Sequence, residues 1–386
     1  LGHDAGDEAL IQFTARIDAA VREFDVADAL LARFGGDEFV VLLQLPEASA
    51  ADLRTVAGEL ADRLVAEVAR PIEVEGRRVF LGISIGITVF PDDATSAAML
   101  LKNGDIAMYQ AKLAGKNCHR FYSLAMDQAV EQRMHMEHEL RGAWDRGELS
   151  LAYQPVFRMD DKALVGVEAL LRWRHPEFGN VAPPVFIDVA EQSGLIDVIG
   201  PQVLHAACVD ARAWQRRFPA AADLFVAVNV SPRQLRGAAF AVEVEAALRE
   251  SGLSPRHLHL ELTETAVIGD EARVSQLLSA LRALGVKIWL DDFGTGFSGL
   301  SHLRRVPMDG VKIDRSFVAD LLRDPDDLAL TTAIISMAHS IGITVVAEGV
   351  EKEGQFEVLR DRGCDLGQGF WLGHPLPARE FEALLR

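Results

Sequence analysis

Asp291 and Asp292 stand side by side at the end of an apolar run, Val286-Lys287-Ile288-Trp289-Leu290, with Gly294 and Gly296 just beyond. The run reads as a buried strand. Neighbouring side chains of a strand point to opposite faces. Both acids can therefore serve one site only if the strand stops there and the backbone turns, and the two glycines permit that turn. Two carboxylates about 4 Å apart repel by roughly 4 kcal/mol at an effective dielectric near 20. Such a pair calls for a cation; the alternative is a solvated acidic turn.

Five more apolar or alternating runs carry a polar residue within or at their end, and this repetition favours the cation. They lead to Glu168, Asn229, Glu261, Asp314 (with Lys312 inside the run) and Glu348. Helical patterns, such as 274–284 and 328–341, lie between them. Strand and helix alternating over about 250 residues predict a (β/α)8 barrel, whose strand ends converge on one face where active sites sit. Carboxylates, one amide and one lysine gathered there suit hard divalent cations such as Mg2+ or Mn2+.

The chain has 386 residues, enough for two or three domains. At 49% hydrophobic and 25% charged it has an ordinary globular composition, and no apolar run is long enough to span a membrane. Leu1-Gly2-His3-Asp4 does not resemble a signal peptide, and an anchor ahead of Leu1 stays open. Cys118, Cys208 and Cys364 are scattered without metal spacing, which fits a reducing cytoplasm. A net charge of -18 argues against a nucleic-acid polymer as partner.

The first third is organised differently. A helical pattern over 9–22 precedes two apolar runs separated by Gly35-Gly36, read as a β-hairpin with Asp37 and Glu38 just after its turn. A helix over 51–69, strands over 71–74 and 79–89, and a helix over 97–114 capped by Gly115 complete an α+β domain. Residues 123–146 read as a charged helical bridge with an apolar stripe of Met126, Val130, Met134, Met136 and Leu140. The expected boundaries are 1–122, 123–146 and 147–386.

Arg33-Phe34-Gly35-Gly36-Asp37-Glu38-Phe39 resembles the GGDEF motif of diguanylate cyclases. Gly2-His3-Asp4-Ala5-Gly6-Asp7, Ser84-Ile85-Gly86 and the segment from Asp105 to Lys112 are similar to that family's flanking signatures. From Leu149 to the end the chain resembles EAL-domain cyclic di-GMP phosphodiesterases. The likeness rests on Glu168-Ala169-Leu170, Tyr153-Gln154-Pro155, Asn229-Val230-Ser231, Glu261-Leu262-Thr263-Glu264 and Asp291-Asp292-Phe293-Gly294-Thr295-Gly296. Lys312-Ile313-Asp314, Ala347-Glu348-Gly349-Val350 and the run from Gly363 to Gly369 continue it. Phe297 and Phe370 stand where tyrosine is commoner in the family, and His374 where lysine is commoner.

The resemblance implies a C-terminal TIM-like barrel behind a GGDEF domain with a central, mainly antiparallel sheet. It implies hydrolysis of cyclic di-GMP to linear pGpG with two divalent cations. Glu168, Asn229, Glu261 and Asp291 would hold one cation; Asp291 would bridge to the second, which Asp292 also binds, and Glu348 lies in the same shell. Glu168, Lys312 and Glu348 are the implied catalytic set, with Lys312 orienting or deprotonating the attacking water. Two nearby cations would lower that lysine's proton affinity. Gln154, Leu171, Arg172, Asp292 and Gln368 fall on the substrate side, and Glu264 anchors the loop that follows Asp292. In the family that loop couples the site to a homodimer interface.

Five carboxylates and one lysine leave the mouth with four negative charges, which two divalent cations neutralise, so that only a loaded site accepts phosphate. In the first domain Asp7, Gly35, Gly36, Asp37, Glu38 and Lys112 form the implied half-site, with GTP as its ligand. The family's inhibitory Arg-x-x-Asp is not at its usual spacing, where Val26 and Ala29 stand. The cyclase residues expected on a strand before Leu1 are not in this sequence, so the chain as given is expected to make no cyclic di-GMP. The main reading is a phosphodiesterase regulated by its first domain. The alternatives are a bifunctional full-length protein and a non-catalytic cyclic di-GMP receptor.

Overall fold

The computed structural model describes residues 3–24, 28–45, 49–237, 239–267, 271–294 and 306–386. The chain divides into two compact units, Leu1–His135 and Met136–Arg386, and the division falls inside one helix, Leu124–Leu140.

In the first unit, helices α1 (His3–Arg22) and α2 (Ala50–Val68) pack Ile17, Ala20 and Val21 against Leu60, Leu64 and Val68. Ser49 caps α2 in a reciprocal box with Asp52, which supplies acceptors for otherwise unpaired N–H groups. Strands β1 (Asp28–Gly35) and β2 (Glu38–Gln44) form the expected hairpin, antiparallel. Gly35 pairs with Glu38, so the turn is Gly36-Asp37; Asp37 lies in it rather than after it.

The described residues of the first unit are α+β, as expected, and most of their strand pairs are antiparallel. They form three two-stranded sheets: β1–β2, β3 (Ile72–Val74) with β4 (Arg77–Val79), and β5 (Ile85–Ile87) with β6 (His119–Phe121). The last pair is parallel. The strand expected over 79–89 is interrupted at 80–84, where Asn117 Oδ1 accepts from the Ile83 N–H at 3.0 Å. Helix Ala97–Leu113 ends at Ala114, with Gly115 beyond it at φ +108°.

In the second unit a barrel is built from β7 (Leu149–Arg158), β8 (Leu164–His175), β10 (Phe225–Val230), β11 (Leu258–Thr263), β12 (Lys287–Phe293), β13 (Gly310–Ile313), β14 (Thr344–Ala347) and β15 (Leu366–Gly367). Short edge strands β9 (Gly179–Val181) and β16 (Leu376–Pro377) extend the sheet on β8 and β7. Seven barrel strands run parallel. β7 runs against both its neighbours, because residues 159–163 are too few for the crossover helix that a parallel pair requires.

The interior of the barrel is closed by Phe225, Trp289, Val156 and Val346. Two glycines make room for the rings. A Cβ on Gly166 would stand 2.2 Å from the Phe225 ring, and one on Gly310 would stand 2.7 Å from Trp289 Nε1. Outward-facing Leu260, Leu262, Ile288 and Leu290 join the helices in one larger core.

Candidate functional site

The strand registers bring the polar residues to one end of the barrel. Asn229 lies beside Glu261, Thr263 beside Asp291, and Gln154 opposite Glu168. Lys312 is on β13, and Glu348 and Gln368 directly follow β14 and β15. All of these are at the C-terminal mouth, as the sequence predicts.

Asp291 and Asp292 reach one site by a different route from the one expected. The backbone does not wait for Gly294. Asp292 itself has φ +55°, and the register between β12 and β13 shifts between Leu290 and Phe293. A bulge with one residue in the left-handed region turns both acids to the same side. Aspartate tolerates that conformation better than most residues. The Asp292 N–H donates to Asp291 Oδ1 at 3.0 Å. Gly294 follows at φ +103° against the Phe317 ring; Gly296 lies outside the described residues.

Lys312 is the centre of the site and is 1% exposed. Its Nζ lies 2.5 Å from Glu348 Oε1, 2.8 Å from Glu261 Oε2, 3.3 Å from Glu168 Oε2 and 3.5 Å from Asp291 Oδ1. Burial alone would lower the lysine's pKa, but Asp291, Glu168, Glu261 and Glu348 outweigh it and hold it well above the ordinary range. The protein's own groups thus act in the opposite sense to the lowering expected from cations.

The carboxylates differ among themselves. Glu168 accepts from Asn229 Nδ2 at 2.6 Å and from Gln368 Nε2 at 2.7 Å. Burial raises its pKa, but Lys312 and these two amides bring it below the usual value. Glu261 is pushed well up by burial, with Glu168 and Asp291 adding to it. Glu348 is pushed up to about 8, by burial first and then by Asp291 and Glu168. Asp292 is raised by burial and by Asp291.

The donor set fits a hard divalent cation. Carboxylate oxygens of Asp291, Asp292 and Glu348 lie within 4.8 Å of one another. Glu168 and Glu261 share the lysine with them, and every ligand atom on offer is oxygen or amide.

Gln154 Nε2 donates to the Gly373 carbonyl at 3.1 Å, and Gln368 Nε2 to Gln154 Oε1 at 3.0 Å. Both amides are thereby committed to holding Glu168 and the 369–373 turn. Leu171 and Arg172 follow on β8; Arg172 is half-buried and donates to the Leu171 carbonyl at 3.0 Å. Glu264 opens the helix Glu264–Val267, and both its oxygens are buried without a hydrogen-bond partner among the described residues. Most of the loop it was expected to anchor, residues 295–300, lies outside them.

Asp314 ends one of the polar-tipped runs, but the resemblance gives it no role in the site. Its carboxyl hydrogen-bonds that of Asp292 and helps to raise it. Asp314 stands just beyond β13, as the N-cap of the helix Arg315–Ala319. In the first unit Asp7, Gly35, Gly36, Asp37, Glu38 and Lys112 are exposed. They form no group of clustered metal-ligating side chains among the described residues.

The family description "EAL domain" matches residues 137–375, and "Diguanylate cyclase, GGDEF domain" matches residues 1–118. The chain is 41% identical, over 99% of its length and 54% of the relative's, to "Bifunctional diguanylate cyclase/cyclic di-GMP phosphodiesterase MucR" of Pseudomonas aeruginosa. It is 39% identical, over its whole length and 48% of the relative's, to "Cyclic di-GMP phosphodiesterase NbdA" of the same organism. The chain thus spans about half the length of the curated relatives it matches. The solved structure "PaMucR Phosphodiesterase, c-di-GMP complex" superposes with a TM-score of 0.61 at 42% identity, covering 64% of this chain and 99% of that one.

Proposed function

The chain belongs to the EAL domain family and carries a GGDEF domain ahead of that domain, and on this premise we propose that its barrel hydrolyses cyclic di-GMP to linear pGpG. The observation that carries this reading is the oxygen-only cluster at the mouth, with Asp291, Asp292 and Glu348 within 4.8 Å of one another beside Lys312. The names of the relatives point to the substrate.

Glu168, Asn229, Glu261, Asp291, Asp292 and Glu348 would hold two divalent cations, magnesium or manganese. When bound, such cations ease the deprotonation of water and neutralise phosphodiester charge. The chain's own residues do the rest. Gln154, Gln368 and Asn229 fix Glu168 in one orientation, so that its charge is placed before substrate arrives. Lys312 holds a proton at Nζ and orients the attacking water. Arg172 takes a phosphate oxygen, which a guanidinium can do through two parallel hydrogen bonds. Leu171, Gln154, Asp292 and Gln368 line the substrate side, and Glu264 positions the loop after Asp292.

The first domain, 1–122, is regulatory in this reading, with GTP at Asp7, Asp37, Glu38 and Lys112, joined by the 123–146 segment to the barrel domain, 147–386. The protein acts in the cytoplasm as a homodimer of its barrels. No described helix is long and apolar enough to cross a membrane.

The test is incubation of the purified chain with cyclic di-GMP and magnesium or manganese, with chromatography for pGpG. Turnover is expected, and Glu168→Ala abolishes it. Tight binding without turnover in either metal would replace the hydrolase with a receptor.

A further inference from the structure

The opposite end of the barrel holds an open cavity, at the N-terminal starts of β11 to β14. Its volume is about 580 Å³, and it is lined by His259, Lys287 and Trp289, by Arg282 and Asp309 just outside the strands, and by Thr344. That volume is within the usual range for a small-molecule site, roughly 300–1,000 Å³.

One wall is charged and unbalanced. Asp309 accepts from Arg282 Nε at 2.9 Å, Arg282 Nη2 at 3.1 Å, Lys287 Nζ at 3.0 Å and the Ile288 N–H at 3.1 Å. A carboxylate has about four acceptor positions, so Asp309 is saturated. One negative charge faces two positive ones. The remaining donors of Arg282 and Lys287 are open to solvent, their side chains being 38% and 46% exposed. This is a local surplus of positive charge in a chain of net charge -18.

The lining also has an apolar part: Val306, Met308, Ile341 and Ile343. Two rings, those of His259 and Trp289, line it as well. His259 stands 4.0 Å from Phe225 at 14°, and 4.6 Å from Trp289. His259 Nδ1 is buried with no hydrogen-bond partner among the described residues.

We propose that this floor cavity is a binding site for a small aromatic oxyanion, a planar ring carrying one carboxylate or phosphate monoester. The head group pairs with Lys287 and Arg282, and the ring lies against the apolar part of the lining and Trp289. Nothing in this depends on the chemistry at the mouth. It does bear on the same strands: His259 is two residues from Glu261, and Trp289 two from Asp291.

The probes are 2-naphthoate and 2-naphthyl phosphate, titrated calorimetrically into the full chain without cyclic di-GMP. Saturable one-site binding of at least one is expected, and comparison of the two identifies the head group. Lys287→Met should weaken it about ten-fold, the value of one charge-assisted hydrogen bond. Ile341→Trp fills the cavity from its exposed rim without removing charge and should abolish the heat. Glu168→Ala should leave it unchanged. Should Lys287→Met not fold, Ile341→Trp decides alone. No saturable heat with either probe would overturn the proposal, as would binding that survives Ile341→Trp or disappears in Glu168→Ala.

Discussion

Lys312 and Glu261 face each other across the top of the barrel at 2.8 Å, each with a side chain only 1% exposed. A pair so buried contributes to stability only while both partners are present. Lys312→Met would leave Glu168, Glu261, Asp291 and Glu348 facing one another. The expected result is loss of hydrolysis and a loss of about 3–5 kcal/mol in chelator, measured by urea unfolding. Added magnesium should restore part of that stability. Unchanged stability would mean that the carboxylates take up protons instead.

Asp292 is a test of backbone and charge separately. Asp292→Asn keeps a residue that accepts positive φ, so stability should stay within about 0.5 kcal/mol while hydrolysis falls. Asp292→Val must hold a β-branched residue at φ +55°, at a cost of about 1–3 kcal/mol. Equal stability of the two variants in urea would show that the bulge relaxes at no cost.

Glu264→Gln is expected to lower turnover while Glu261 and its neighbours stay in place. Raising the metal concentration should recover part of the loss. A metal titration of the rate checks this, and an unchanged rate would show that Glu264 does not position that loop.

His259 gives the fold a pH dependence of its own. Burial, then the charge of Lys287, pushes its pKa down to about 3, against about 6.5 in an unfolded chain. The neutral ring's contribution is therefore fully present above about pH 6.5 and is lost as pH falls towards 3. Between pH 7 and pH 5 the wild type should lose about 2 kcal/mol more than His259→Phe, by urea unfolding at each pH. Parallel curves would mean that the ring charges in place.

Much of the site was legible because strand alternation and strand ends are local. Glu261, Lys312 and Glu348 needed only the recognition of short apolar runs ending in a polar residue. What was missed depends on geometry between strands. The bulge at Asp292 is set by the register with β13, and a glycine-based turn was the natural reading of the sequence. Asp314 was visible as the end of its run, but its contact with Asp292 was not. The aromatic floor of Phe225, His259 and Trp289 joins residues far apart in sequence, and only the barrel's closure brings them together. The reversed direction of β7 could have been inferred from the short gap before β8. In the first unit, the interruption after Val79 carries a bond from Ile83 to the Asn117 side chain, which no strand pattern encodes.

The antiparallel β7 also sets the order in which the molecule can be completed on the ribosome. Its outer edge is sealed by β15 and by β16, where Leu376 pairs with Tyr153 and Pro377 with Ala152. Gln368, which holds Glu168, emerges 200 residues after it. The nascent chain can form the local β7–β8 hairpin early, but the barrel stays open until its last segment leaves the exit tunnel. Glu168 therefore remains without its Gln368 contact through synthesis of almost the whole domain, and a chain stalled before residue 366 carries the acids without a closed mouth.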